Sequence, residues 1–96
     1  MSVIRVPDYD GALAAANSST LNLSAGICTT DLAEAAHFKR NSKAGMVMVN
    51  LPTAGVDFHV PFGGRGESSV GPREQGTAAV EFFTTTKTSY TSPGTP

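Results

Sequence analysis

Apolar residues come in short blocks separated by polar punctuation, and each block has its own period. Val3-Ile4-Arg5-Val6 is a brief apolar run that Pro7 ends by removing a backbone donor, which predicts a strand. Asp8 is placed to cap a helix, and Tyr9, Ala12, Leu13 and Ala16 fall at i, i+3, i+4 and i+7 on one of its faces. Asn17-Ser18-Ser19-Thr20 stops it, because these side chains compete for backbone groups. Leu23–Cys28 reads as a second strand. Thr29, Thr30 or Asp31 then caps a second helix, with Glu34 three residues past Asp31 as in a capping box. Leu32, Ala35, Ala36 and Phe38 give that helix a broad apolar face. Lys39, Arg40 and Lys43 suit the negative end of its dipole, and Gly45 is placed to terminate it.

Met46-Val47-Met48-Val49 is a continuous apolar run, as in a strand covered on both faces. The order strand, helix, strand, helix, strand predicts an α/β unit. From Asn50 to Gly71 the pattern dissolves into irregular chain, longer than a compact domain tolerates without a functional reason. Pro72–Val80 can hold a short helix. Glu81–Thr91 is rich in β-branched and aromatic residues and predicts a long strand, followed by a frayed tail over Ser92–Pro96. No turn signal pairs that last strand with a neighbour. A long unpaired edge is a liability, so a partner segment or chain is implied. There is no internal repeat.

Composition narrows the function classes. The 96 residues carry a formal net charge of −1, which argues against non-specific binding to nucleic acid or an anionic membrane. A chain this short buries only about two-thirds of its unfolded surface, so a sizeable private core is not expected. The one cysteine, Cys28, cannot form an internal disulfide. No apolar run approaches the ~20 residues of a membrane span, and Met1-Ser2-Val3-Ile4-Arg5 lacks signal-peptide features. A cytoplasmic, water-soluble chain is the expectation.

Candidate chemistry is sparse. Gly63-Gly64-Arg65-Gly66 could cradle an anion with its amides, but it follows no strand and no Gly-Lys-Ser/Thr closes it. A plain turn is the better account. Phe62 either packs beneath that loop or is presented to a cavity, and the residues leave both open. Cys28 near a helix start is better read as a small hydrophobe than as a nucleophile. Asp31, Glu34 and His37 share a helix face without a third distant ligand, so capping explains them better than a metal. His59 is a second acid–base group with no triad to join.

The motifs taken together carry a resemblance. Gly45-Met46-Val47-Met48-Val49-Asn50, Pro61-Phe62-Gly63-Gly64, Ser68-Ser69, Gly71-Pro72-Arg73-Glu74-Gln75-Gly76 and Phe83-Thr84-Thr85-Thr86-Lys87-Thr88, in that order, resemble the closing segment of NAD(P)-dependent aldehyde dehydrogenases. Upstream, Asp8-Tyr9-Asp10, Ala12-Leu13, Ala16-Asn17 and Leu23–Ile27 are similar to the same family, so the likeness runs from Val3 to Tyr90. Asn50–Pro61 most resembles the branch acting on 2-oxoglutarate semialdehyde. Three departures stand out, the first two adjacent: Gly66 occupies a position the family usually fills with lysine, and Glu67 replaces a small or neutral residue. Asn22 stands where a glycine normally precedes Leu-Ser, which implies a left-handed backbone position.

The resemblance implies a partial aldehyde dehydrogenase-like α/β fold. Residues 1–50 would end the catalytic-domain unit, 51–80 would form the substrate-tunnel loop and a short helix, 81–91 the oligomerisation strand, and 92–96 a disordered tail. It implies that Val56 and Phe62 line the aldehyde tunnel, with Gly63 and Gly64 turning the loop. Arg73, Phe82, Phe83, Thr84, Thr86 and Lys87 would belong to the subunit interface. The family's nucleophile, general base and dinucleotide domain lie upstream of the matched region, so the chain alone is not expected to be catalytic or to bind NAD or NADP. Its implied partners are the remainder of the subunit or further copies, joined by strand addition. Two other classes remain: a non-enzymatic module that dimerises through Phe82–Tyr90, and a small anion- or nucleotide-binding domain built on the glycine loop.

Overall fold

A computed structural model describes residues 2–95, so Met1 and Pro96, the latter the end of the expected tail, lie outside the described residues. The regular elements are α1 (Tyr9–Ala16), β1 (Ser24–Ile27), α2 (Leu32–Asn41), β2 (Met46–Val49) and, after a 3-10 turn at Gly76–Ala78, α3 (Ala79–Phe83). β1 and β2 are parallel, in register from Ser24↔Met46 to Ile27↔Val49, with α2 as the crossover between them.

Local chemistry accounts for the two longer helices. The Asp8 carboxylate accepts from the Gly11 amide at 2.8 Å and starts α1. The Asp31 carboxylate accepts from the Ala33 and Glu34 amides at 2.7 and 3.2 Å and starts α2. The predicted capping box is corrected in one detail. Glu34 does not reach back to the Asp31 amide; its carboxylate accepts from Thr29 Oγ1 at 2.6 Å, and Thr29 Oγ1 accepts from the Asp31 amide at 3.1 Å. The hydroxyl stands between the two groups and relays the contact.

The helix faces are narrower than their periodicity suggests. In α2, Ala35 and Phe38 are buried, but Ala36 is exposed and Leu32 is 87% exposed. In α1, Tyr9 and Leu13 are half-buried while Ala12 and Ala16 face solvent. One layer of helix on a two-stranded sheet offers only one buried stripe. β2 is likewise half-buried along its length, not covered on both faces.

Three further expectations are corrected. α2 ends at Asn41 with Ser42 as its cap, ahead of Gly45. Gly45 serves a different need: a Cβ there would collide with the Gly63 carbonyl, so the residue allows β2 and the glycine loop to touch. Val3–Val6 is not a strand, and Val3 and Ile4 are exposed, because no neighbouring edge is present to complete a ladder. Glu81–Phe83 lie in α3, not in a strand, and 84–91 form no ladder among the described residues. The β-favouring composition of that segment finds no partner within the chain, and propensity alone does not make a strand.

The result is an open structure. Its radius of gyration is 19.8 Å, against ~12.5 Å for a compact domain of this length. Its accessible surface is 7721 Å², against roughly 5,200 Å² for a free-standing monomer of this mass. Ala35, Phe38 and Ala44 are the buried apolar residues among those described. The two-stranded parallel sheet packs against α2, and the core they share is small.

Candidate functional site: the loop around Phe62

The loop after β2 is pinned at its neck. The Phe62 amide donates to the Glu74 carbonyl at 2.7 Å and the Glu74 amide donates back at 3.1 Å, an isolated antiparallel bridge. Between these residues the chain is laid across the segment leading into β1. The Arg65 amide donates to the Asn22 carbonyl (3.0 Å), the Glu67 amide to Thr20 (2.9 Å) and the Ser68 amide to Leu21 (3.2 Å). The Gly64 amide donates to Ser69 Oγ at 2.5 Å. The Gly64 and Arg65 amides are therefore spent on the protein, as suits a turn better than an anion cradle.

Glycine is required at two points of this dock. A Cβ at Gly66 would strike the Thr20 carbonyl, and one at Gly64 would lie 3.0 Å from both the Asn22 carbonyl and Ser69 Oγ. Glu67 adds a side-chain tie, accepting from Thr20 Oγ1 at 2.9 Å. Gly66 and Glu67 thus cooperate in seating the loop. Asn22 has φ 48°, in the left-handed region, and its carbonyl accepts from both Gly45 and Arg65.

Phe62 is half-buried and lines a hollow of about 220 Å³ with Gly63, Gly64, Ser69, Arg73 and Phe82. Val56 is also half-buried, but in a separate hollow of about 400 Å³ with Met48, Leu51, Pro52 and Val60. The structure does not bring these two residues to one cavity. Arg73 lies against the loop backbone, its Nη1 buried without a hydrogen-bond partner, and Gln75 Oε1 is in the same condition. Two buried unpaired polar atoms each carry a penalty of about 1–3 kcal/mol. Phe82 and Phe83 are edge to face, with centroids 4.8 Å apart, and Phe83 is 74% exposed. Thr84, Thr86 and Lys87 are exposed in the segment beyond.

The family model described as "Aldehyde dehydrogenase family" matches residues 1–89. The chain belongs to the aldehyde dehydrogenase family. An alpha-ketoglutarate semialdehyde dehydrogenase of Haloferax volcanii is 47% identical over 93 residues, covering 96% of this chain and 19% of that protein. An alpha-ketoglutaric semialdehyde dehydrogenase of Bacillus subtilis is 40% identical, covering 97% and 19%. Among solved structures, aldehyde dehydrogenase 21 from Physcomitrella patens, in complex with the reaction product succinate, superposes with a TM-score of 0.72 at 28% identity over 77% of this chain and 15% of that one. An indole-3-acetaldehyde dehydrogenase in apo form gives 0.68 at 31% identity, over 77% and 17%. The chain spans about a fifth of the length of these curated aldehyde dehydrogenases. No helix among the described residues is long and apolar enough to cross a membrane.

Residue-by-residue reading missed two asparagines that organise this aldehyde dehydrogenase segment. Asn50 exchanges two bonds with the Thr29 backbone, at 2.9 and 2.8 Å, extending the β1–β2 pairing through a side chain. Asn17 caps α1 and ties it to the end of α2 through Lys43 N (2.8 Å) and the Asn41 carbonyl (3.0 Å). Their only signal was position, each directly after an apolar block. The other candidates remain apart: Cys28 is exposed, His59 packs edge to face on Phe58, and His37 Nδ1 is 2.8 Å from Tyr9 Oη.

Proposed function

We infer that this chain acts as the closing segment of an aldehyde dehydrogenase subunit that oxidises an aldehyde of the 2-oxoglutarate semialdehyde class to its carboxylate with NAD or NADP. The observation that carries this reading is the open, apolar surface around the Phe62 loop, joined to a family match over nearly the whole chain. The nucleophile, the general base and the dinucleotide site would come from the remaining part of the subunit. Val56 and Phe62 would supply apolar wall to the aldehyde passage, and Gly63 and Gly64 would let the backbone approach it closely. Arg73 would belong to the subunit interface. Phe82, Phe83, Thr84, Thr86 and Lys87 would meet a neighbouring subunit, with the extended segment adding to its sheet. The substrate class rests on the two semialdehyde dehydrogenases that the chain resembles at 47% and 40% identity.

Co-expression tests this directly. The chain is produced with an alpha-ketoglutarate semialdehyde dehydrogenase truncated so that it lacks its own matching segment. Co-purification and aldehyde-dependent NADH or NADPH formation by the pair, with neither part active alone, is the expected result. Activity of the 96-residue chain by itself, or failure of the two parts to associate, would reject the reading.

A further inference from the structure

Arg65, between Gly64 and Gly66, does not contribute to the Phe62 hollow. It joins a different one, of about 410 Å³, lined by Asn22, Arg40, Asn41, Ser42, Lys43 and Arg65. Three of these residues are cationic and none is acidic, in a chain whose net charge is −1. Part of that charge has an ordinary cause. Arg40 lies in the last turn of α2 and Lys43 just beyond it, where cations complement the helix dipole. Arg65 has no such reason to be there. It arrives on a separate segment, held by its amide on the Asn22 carbonyl. Glu67, the carboxylate two residues on, is committed to Thr20 Oγ1 and leaves the cluster uncompensated.

The floor of the hollow is set by backbone and short side chains. Ser42 is 5% exposed, and its Oγ accepts from the Ala44 amide, which leaves its own proton to donate. Asn41 is fixed through its side-chain amide on the His37 carbonyl (2.8 Å) and its carbonyl under the Asn17 amide (3.0 Å). Asn22 is fixed by the two amides that its carbonyl accepts. Arg40, Arg65 and Lys43 bring two guanidinium groups and one ammonium to the lining, the donor set that matches the oxygens of phosphate or a compact polycarboxylate.

We propose that the hollow between the end of α2 and the glycine loop binds a small multivalent oxyanion through Arg40, Lys43 and Arg65. It shares no lining residue with the hollows that hold Phe62 and Val56, and its test does not depend on assembly. The anion identity has two candidates with the same chemistry, an inorganic phosphate and a tricarboxylate.

The test is an NMR titration of the labelled 96-residue chain with inorganic phosphate, with citrate, and with sodium chloride at matched ionic strength. Saturable shifts of the Asn22, Lys43 and Arg65 amides at millimolar phosphate or citrate, and not with chloride, are expected. Whichever titrant saturates at the lower concentration identifies the source. Arg65→Gln and Lys43→Gln should each weaken binding about three- to tenfold, since one charge-assisted contact at a partly screened site is lost. Arg5→Gln, remote from the hollow, should leave it unchanged. Shifts that do not saturate, that chloride reproduces, or that Arg5→Gln weakens equally would overturn the proposal.

Discussion

The Phe62 and Glu74 backbones exchange both of their hydrogen bonds, at 2.7 and 3.1 Å, and so close the glycine-rich loop at its neck. This bridge holds Phe62 and Arg73 on one hollow while the loop between them reaches across to Thr20–Asn22. Everything the loop does depends on that docking, and the first prediction follows from it.

Gly66 should resist substitution. Gly66→Ala or Gly66→Lys places a Cβ into the Thr20 carbonyl and forces the loop away, at a cost of roughly 1–3 kcal/mol of the kind overpacking produces. Hydrogen exchange should show it as faster exchange of the Arg65 and Glu67 amides, with the Met46–Val49 ladder unaffected. Equal protection in the variants would mean that the loop is not docked as described.

Asn22 should tolerate glycine and not alanine. Its φ of 48° lies in the left-handed region, so Asn22→Ala should lower stability by about 1–2 kcal/mol, whereas Asn22→Gly relieves that constraint. Chemical denaturation of the two variants, measured as the difference between them, checks this without needing an absolute stability. A ranking with alanine above glycine would contradict the geometry.

Asp31 carries the start of α2 by accepting from the Ala33 and Glu34 amides. Asp31→Ala should cost about 1 kcal/mol of stability, with Asp31→Ser retaining much of it. Far-ultraviolet circular dichroism during thermal unfolding reads the loss. Because Glu34 is tied to Thr29 and not to Asp31, Glu34→Gln should leave the Ala33 amide bond intact.

Tyr9 supplies a pH dependence. Partial burial, followed by the nearby Glu34 and Asp10 carboxylates, raises its phenol pKa above the ordinary value of 10.0. A folded-state pKa above the unfolded one means that the native state holds its proton longer. The contribution to stability is therefore complete below pH about 10 and is lost as pH rises through the folded pKa. Tyr9→Phe should flatten the alkaline limb of the stability–pH curve and remove the contact to His37 Nδ1. An unchanged alkaline limb in Tyr9→Phe would assign the effect to another group.

Local signals were legible in the sequence where the interaction is local. The Asp8 and Asp31 caps lie within a few residues of what they satisfy, and Met46–Val49 has a pattern that only a strand explains. The left-handed backbone at Asn22 was readable because few residues adopt it. The family, too, was legible from Pro61-Phe62-Gly63-Gly64 and Gly71–Gly76 taken in order. Long-range relationships were not. Which strands form depended on whether a ladder partner exists, so Val3–Val6 and Glu81–Thr91 kept strand-like composition without becoming strands. That Gly45 permits contact with Gly63, that Gly66 seats on Thr20, and that Val56 and Phe62 line different hollows are decided by chain crossings distant in sequence. Periodicity records the side a residue prefers, and only tertiary structure supplies the neighbour it meets there.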